Sequence, residues 1–295
     1  MSKKNRRYGR SEREQTNRAQ AANESHDIER NPAPERPEAK KFNAPLWAGI
    51  VVVLGVVVVL GFNFFGGKDH LTVADLNSPA VAALDGGSEV YPANSKRAFT
   101  ENTKFGYLPA PTLSQLGDGT IVAADPETAK EMGLKDELSS LDRDSFLDQT
   151  IKPPRKDTAP GDPITWDQLV DEAAGATVLM PLIESPEVAG PVLKKIAEAD
   201  ITDSTIVRTE DAEVAKAASE AGVAVMFTGD PATVKAAELE SDGYTMLAVD
   251  AVHAAKWTDT DLDVWATGVK DEKQLKNLAD AGIFGALSTN PYTIQ

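Results

Sequence analysis

Histidine is the side chain best suited to move protons near neutral pH, and this 295-residue chain has only three. His26 and His70 lie in polar stretches, whereas His253 lies in the stretch AVHAAKW, which we predict to be helical. His253 could act as a general acid or base, but a surface or packed helical histidine is the commoner situation. No G-x-S-x-G motif accompanies it, so the sequence does not support a Ser-His-Asp triad.

The rest of the composition narrows the chemistry further. The chain has no cysteine, which excludes a thiolate nucleophile and a Cys-ligated metal. Its net charge is −16: residues 1–45 hold 11 Lys/Arg against 7 Asp/Glu, and the remainder holds 19 against 39. An acidic surface repels phosphate, so we expect no nucleic-acid partner, whereas cations and basic protein surfaces stay compatible.

One apolar run dominates the first third of the chain. Residues 46–65, LWAGIVVVLGVVVVLGFNFF, contain no charged side chain, and twenty helical residues rise about 30 Å, the hydrocarbon thickness of a bilayer. We therefore predict a single transmembrane helix with the lipid bilayer as its surroundings. A cleaved signal peptide is the alternative, but the preceding polar region is 45 residues long and no small-x-small site follows the run.

Charge predicts the orientation of this segment. The positive-inside rule places residues 1–45, a basic tail predicted to be disordered, in the cytoplasm, and the acidic remainder outside the cell membrane. Residues 66–80 are predicted to form a tether. Gly49, Gly55 and Gly61 are six residues apart and would let another helix approach closely, which predicts an integral membrane complex as partner.

From residue 81 to 295, short apolar runs alternate with amphipathic segments. The pattern predicts an α/β domain of parallel strands joined by helices, and a (β/α)8 TIM barrel fits it best. A doubly wound open sheet is the alternative, but no glycine-rich phosphate loop supports it. A (β/α)8 barrel has eight strands and nine are predicted here, so one predicted strand is wrong or belongs to an insertion. The predicted strands are 81–84, 107–113, 120–124, 177–184, 204–207, 223–227, 245–249, 264–269 and 284–287, and the predicted helices are 186–199, 211–221, 231–239 and 272–281.

Several stretches of this domain resemble the glycerophosphodiester phosphodiesterase family. Residues 83–99, ALDGGSEVYPANSKRAF, are similar to its Ala-His-Arg-Gly-Gly … Pro-Glu-Asn-Thr … Ala-Phe. Residues 264–271, VWATGVKD, and 285–291, GALSTNP, resemble its closing Val-x-x-Trp-Thr-Val-Asn … Gly-Ile-Ile-Thr-Asp-x-Pro. Asp118-Gly119 and Ala124-Asp125-Pro126 resemble its Asp-Gly turn and His-Asp-Pro. The resemblance covers about 82–295 and also implies a TIM barrel.

The family's enzymes use two histidines as acid and base beside a divalent cation held by carboxylates, and this chain departs from that set. Of the family's metal carboxylates, only the one at Glu184 is matched. Hard divalent ions need several oxygen ligands, so Ca²⁺ or Mg²⁺ is expected as a cofactor only if the family activity survives. Six other positions hold different residues. Leu84 and Asp85 stand at the first His-Arg, and Ala93 stands at the glutamate of Pro-Glu-Asn. Ala110 and Thr112 stand at the Glu-x-Asp metal pair, and Ala124 stands at the second histidine.

Three acidic side chains and Trp265 complete the candidate pocket, and Trp166 is a further tryptophan outside it. If the alignment holds, Asp85, Asp125 and Glu184 lie near the C-terminal face of the barrel, where they would form either a new cation site or solvated strand ends. Trp265 is predicted to fill the barrel or line its mouth. Trp166 is predicted to pack at a helix N-terminus, with an exposed interface aromatic as the alternative.

These observations favour a membrane-anchored pseudoenzyme that acts as an accessory subunit at the outer face of a bacterial membrane complex. A binding protein for a glycerol-phosphate polymer, a glycan or a lipid headgroup is the first alternative, although the outer acidic charge opposes a polyanion. An active metal-dependent phosphodiester hydrolase is the second.

Overall fold

The strands of the domain are short and mostly parallel. A computed structural model describes residues 70–295. The strands are β1 Ala80–Leu84, β2 Leu108–Ala110, β3 Leu113–Gln115, β4 Ile121–Ala123, β5 Ile206–Thr209, β6 Ala224–Phe227, β7 Met246–Asp250, β8 Asp263–Thr267 and β9 Gly285–Ser288. The α-helices are α1 Lys96–Lys104, α2 Pro126–Met132, α3 Arg143–Leu147, α4 Trp166–Ala173, α5 Pro186–Glu198, α6 Ala212–Glu220, α7 Ala236–Ser241 and α8 Glu272–Asp280.

Seven of these strands form one parallel sheet in the order β2-β1-β9-β8-β7-β6-β5. Its two edges are joined through residues 179–183, an extended segment whose isolated bridges pair Leu182 with both Thr112 and Arg208. The sheet is therefore curled like a TIM barrel, with this segment in the place of one strand. The predicted α/β class is confirmed, and the predicted strand 177–184 is present as bridges because Pro181 has no N–H to donate.

The structure explains why nine strands were predicted for eight places. The predicted strand 120–124 corresponds to β4, which pairs antiparallel with β3 as a separate two-stranded sheet. The predicted strand 107–113 is divided between β2 and the first residue of β3. The hairpin is thus an insertion in the loops after β2, and it is not part of the barrel wall.

Two helix predictions were wrong in detail. The predicted helix 231–239 is a 3-10 turn, Pro231–Thr233, followed by α7, because Val234 and Lys235 between them have extended backbone. His253 does not lie on an α-helix. It is exposed and precedes the 3-10 turn Ala254–Lys256, after β7.

Apolar side chains fill both sides of the sheet, and alternate residues of each strand point to opposite sides. Trp265 is fully buried inside the barrel, with its ring centroid 5.5 Å from that of Phe284, which confirms its predicted core position. Trp166 is also fully buried, directly after the N-cap Thr165, so the alternative of an exposed interface aromatic was wrong. The buried residues inside the barrel are Ala82, Leu108, Ala110, Val178, Met180, Ile206, Met226, Met246, Ala248, Trp265 and Leu287.

The start of the described chain packs onto the barrel. Leu71, Val73 and Leu76 contact the interior cluster, so residues 70–76 of the predicted tether form part of the domain. Within 70–295, no helix is both long enough and apolar enough to cross a bilayer. The predicted transmembrane helix 46–65, its three glycines and the predicted cytoplasmic tail lie outside the described residues.

Candidate functional site

The candidate site lies where β1 and β2 end, and its first member is Asp85. Asp85 directly follows β1, is partly buried and has a left-handed backbone with φ of 50°. Its Oδ1 accepts hydrogen bonds from the Thr112 hydroxyl at 2.7 Å and from Asn94 Nδ2 at 3.2 Å. The carboxylate is therefore held by neutral donors from two other loops.

Asn94 connects those loops to α2. Its side chain is fully buried, and its backbone is also left-handed, with φ of 53°. The Asn94 Oδ1 accepts from the backbone N–H of Thr112 at 3.2 Å, and Nδ2 donates to Asp85 and to the Thr128 hydroxyl, at 3.1 Å for the latter. Both Nδ2 hydrogens and the carbonyl oxygen thus have partners, as a buried amide requires.

Arg208 on β5 is the second charged member of the site, and only 4% of its surface is exposed. Its Nε donates to the Met180 carbonyl at 2.7 Å, and its Nη2 donates to the carbonyls of Ala110 at 2.9 Å and Pro111 at 3.1 Å. Burial lowers the pKa of Arg208 to about 10, against the opposing effect of the Asp85 charge. The guanidinium therefore remains protonated at neutral pH.

The two charges influence each other, but burial dominates both. Burial raises the pKa of Asp85 above its ordinary value of 3.8, while the Thr112 hydrogen bond and then the Arg208 charge act in the opposite direction. The nearby Asp125 charge raises it further. Asp125 itself is the N-cap of α2, and its Oδ1 accepts from the Thr128 N–H at 2.7 Å.

The other residues of the predicted pocket bring no polar side chain to this place. Leu84 is half-buried and packs against the barrel interior, and Glu184 is exposed. Among residues 70–295, no three His, Asp or Glu side chains come together as a metal site. The possible cation site of Asp85, Asp125 and Glu184 is therefore not formed. The three alanines of the pocket, Ala93, Ala110 and Ala124, are all buried.

Among residues 70–295, neither histidine side chain is hydrogen-bonded to this network. The His70 ring lies against Gly175, before the segment that takes the place of a strand, and His253 is exposed in the turn after β7. The Asp85 carboxylate accepts hydrogen bonds from Thr112 and Asn94.

No family model matches this sequence, and no curated protein matches it either. Solved structures do. The domain has the fold of glycerophosphodiester phosphodiesterases. A glycerophosphodiester phosphodiesterase from Agrobacterium tumefaciens matches with a TM-score of 0.64 at 11% identity, covering 73% of this chain and 98% of that one. An Oleispira antarctica phosphodiesterase in complex with the product sn-glycerol-3-phosphate matches with a TM-score of 0.61 at 14% identity, covering 74% of this chain and 95% of that one. A glycerophosphoryl diester phosphodiesterase from Parabacteroides distasonis matches with a TM-score of 0.59 at 15% identity, covering 77% of this chain and 88% of that one.

The residues at the resembling metal positions do not fit a divalent cation. Ala110 and Thr112 offer no carboxylate, and Glu184 is exposed. The Arg208 guanidinium is bonded to the Ala110 carbonyl, so a positive charge already lies beside these positions. A hard dication needs several oxygen ligands and would be repelled by this neighbour.

Sequence reasoning missed Arg208 and the role of Asn94. The predicted strand 204–207 ended one residue before Arg208. A signal was nevertheless available. Arg208 is two residues after the apolar Ile206, and residues i and i+2 of a strand lie on the same face of the sheet. A longer strand prediction would have placed an arginine inside the barrel. Nothing local indicated that Asn94 would bond to the loop after β2.

Proposed function

We propose that this protein is a membrane-anchored pseudoenzyme with a glycerophosphodiester phosphodiesterase fold. It acts as an accessory subunit at the outer face of a bacterial membrane complex. Residues 46–65 form the anchor, residues 1–45 are cytoplasmic, and the barrel is extracytoplasmic. In this role the barrel has the phosphodiesterase fold, and its function depends on contacts with other proteins.

One observation carries the loss of chemistry. Apart from the exposed Glu184, the side chains at the positions that resemble the family's acid, base and metal ligands are aliphatic or are bonded to each other, as in the pair Asp85 and Thr112. Loss of general acid–base catalysis costs roughly 10²- to 10⁴-fold for each proton transfer. The buried Arg208 beside the metal positions further opposes binding of a catalytic cation.

The catalytic part of the proposal is tested with the full-length protein in detergent. Glycerophosphocholine and glycerophosphoglycerol are supplied with Ca²⁺ or Mg²⁺, and release of glycerol 3-phosphate is measured. We expect no release above the protein-free rate. Hydrolysis that Glu184→Ala abolishes would refute the pseudoenzyme, because that carboxylate is the one that matches a family metal ligand.

The partner is tested by purifying the tagged full-length protein from its native membranes. We expect a membrane protein to copurify at stoichiometric amounts. Gly55→Leu should reduce its recovery, because a bulky side chain would keep a neighbouring helix away. Val57→Leu, in the same apolar run, is the matched control and should leave recovery unchanged. Recovery of the chain alone contradicts the accessory role.

A further inference from the structure

The join between β2, residues 179–183 and β5 contains a gap in its backbone hydrogen bonds. Met180 N donates to the Pro109 carbonyl, Leu182 N donates to the Pro111 carbonyl, and Leu113 N donates to the Leu182 carbonyl. In this parallel register, the N–H of residue 111 would donate to the Met180 carbonyl. Residue 111 is proline and has no N–H, so that carbonyl lacks its backbone donor.

Arg208 supplies the missing donor. Its Nε bonds to the Met180 carbonyl at 2.7 Å, and its Nη2 reaches the carbonyls of Ala110 and Pro111 on the far side. One side chain of β5 thereby bonds to both other members of the join, which we call the seam: β2, residues 179–183 and β5. The planar fork of a guanidinium makes this possible, since it presents several donors in fixed directions.

The charge of Arg208 has a partner in the same place. A nearly buried cation is costly unless an opposite charge lies close to it. Asp85 is close to Arg208, because the Asp85 backbone N–H and Arg208 Nη2 both donate to the Ala110 carbonyl, at 2.9 Å each. The Asp85 charge also acts on the pKa of Arg208 in the stabilising direction. Asp85 in turn is fixed by Thr112, at the carboxyl end of β2. Positive and negative groups thus lie together where the resemblance places a bound cation and its carboxylates.

We propose that Arg208 is a built-in cation that replaces the divalent metal ion of this fold and, with Asp85 as counter-ion, fixes the seam without bound metal. The inference deepens the proposed function and rests on it, because a pocket that uses a fixed guanidinium has no place for an exchangeable catalytic cation. Its structural consequence is that the protein's own charged side chain bonds β5 to residues 179–183 and to the end of β2.

Substitution of Arg208 in the full-length protein tests the seam. Arg208→Met keeps the length of the side chain and removes the charge and the donors. We expect its melting temperature in detergent to fall by roughly 10 °C, because the buried carbonyls of Met180, Ala110 and Pro111 lose a donor. Arg97→Met is the control, because the exposed Arg97 guanidinium lies 5.9 Å from the Tyr91 ring centroid and bonds to no strand. That variant should change by less than about 2 °C.

Hydrogen exchange locates the effect. In Arg208→Met, amides of residues 108–113 and 179–183 should exchange faster, whereas those of β7 and β8 should not. If Arg208→Met does not fold, Arg208→Lys replaces it, since lysine keeps the charge but loses the fork. Unchanged exchange at the seam, or equal acceleration throughout the barrel, overturns the structural part of the proposal.

Two further measurements separate this proposal from the proposed function. The wild-type melting temperature should be the same with EDTA, Ca²⁺ or Mg²⁺, and a saturable rise with either ion overturns the built-in cation even if no hydrolysis is found. Arg208→Met combined with Asp85→Asn should lose less than the sum of the two single losses, because the two charges are coupled. Additive losses overturn the assignment of Asp85 as counter-ion.

Discussion

Two sides of the same barrel are held together in different ways. The wall formed by β7, β8 and β9 has a continuous parallel register, in which five residues of β7 pair with five of β8, from Met246 with Asp263 to Asp250 with Thr267. Its inner face is filled by the fully buried Trp265. The seam has isolated bridges, two prolines in β2 and its continuation, and a charged side chain in place of a backbone donor.

The comparison shows that the polar residues of the seam substitute for what its backbone lacks. In the wall, backbone ladders and apolar contacts are sufficient. In the seam, Pro111 and Pro181 have no N–H to donate, and Arg208 donates to the carbonyls of Met180, Ala110 and Pro111. Beside the seam, Asp85, Asn94, Thr112 and Thr128 form a connected hydrogen-bond network.

The largest expected effect is on the wall. Trp265→Ala should lower the free energy of unfolding by about 3–5 kcal/mol, since it leaves a large cavity inside the barrel. Chemical denaturation of the full-length protein in detergent measures it. Trp257→Ala is the control. Trp257 is only partly buried, against the apolar side chains outside the barrel interior, so its substitution should lower the free energy of unfolding clearly less. Equal losses would contradict the central position of Trp265.

An intermediate effect is expected in the seam. Thr112→Val removes the hydroxyl that donates to Asp85 at 2.7 Å and leaves the carboxylate with one donor fewer, which should cost about 1–3 kcal/mol. Thr267→Val, at the end of β8, is the matched control, because the Thr267 hydroxyl has no hydrogen-bond partner among residues 70–295. It should change stability by less than about 0.5 kcal/mol. If the two variants are alike, the seam does not depend on its polar network.

The smallest expected effect is on pH dependence. The pKa of Asp85 is raised in the folded state, so its contribution to stability is present below pH 3.8 and is lost as pH rises through the raised pKa. The stability of the wild type relative to Asp85→Asn should therefore fall as pH rises from about 4. Denaturation of both proteins at several pH values measures this difference in stability. The contributions of the other acidic residues cancel, because both proteins contain them.

Asp118 provides a control of opposite sign. Backbone hydrogen bonds from Thr120 and Arg143 hold its pKa below the ordinary value of 3.8. Its contribution is present above pH 3.8 and is lost as pH falls through the lowered pKa. The wild type relative to Asp118→Asn should therefore lose stability on acidification. The same slope for both variants would contradict the burial of Asp85.

Periodicity was enough to predict most of the regular structure. The predicted strands 223–227, 245–249 and 284–287 lie within one residue of β6, β7 and β9, because apolar runs bounded by helices mark buried parallel strands. The helices at 186–199, 211–221 and 272–281 were also found within one residue of their ends. The short helices α1 to α4 were not predicted individually, apart from the start of α4 at Trp166, since they lie among irregular loops and an inserted hairpin.

The sequence by itself determined which side chains stand at the positions that resemble the family's site, because the identity of a side chain is fixed whatever the fold. Leucine and alanine cannot transfer a proton or bind a cation wherever they lie. It also determined the βα alternation, which depends on local periodicity. The tertiary structure alone decided that the Arg208 guanidinium bonds to the carbonyls of Met180, Ala110 and Pro111. Arg208 and Ala110 are 98 residues apart, and their contact exists only because the sheet curls and brings β5 to β2.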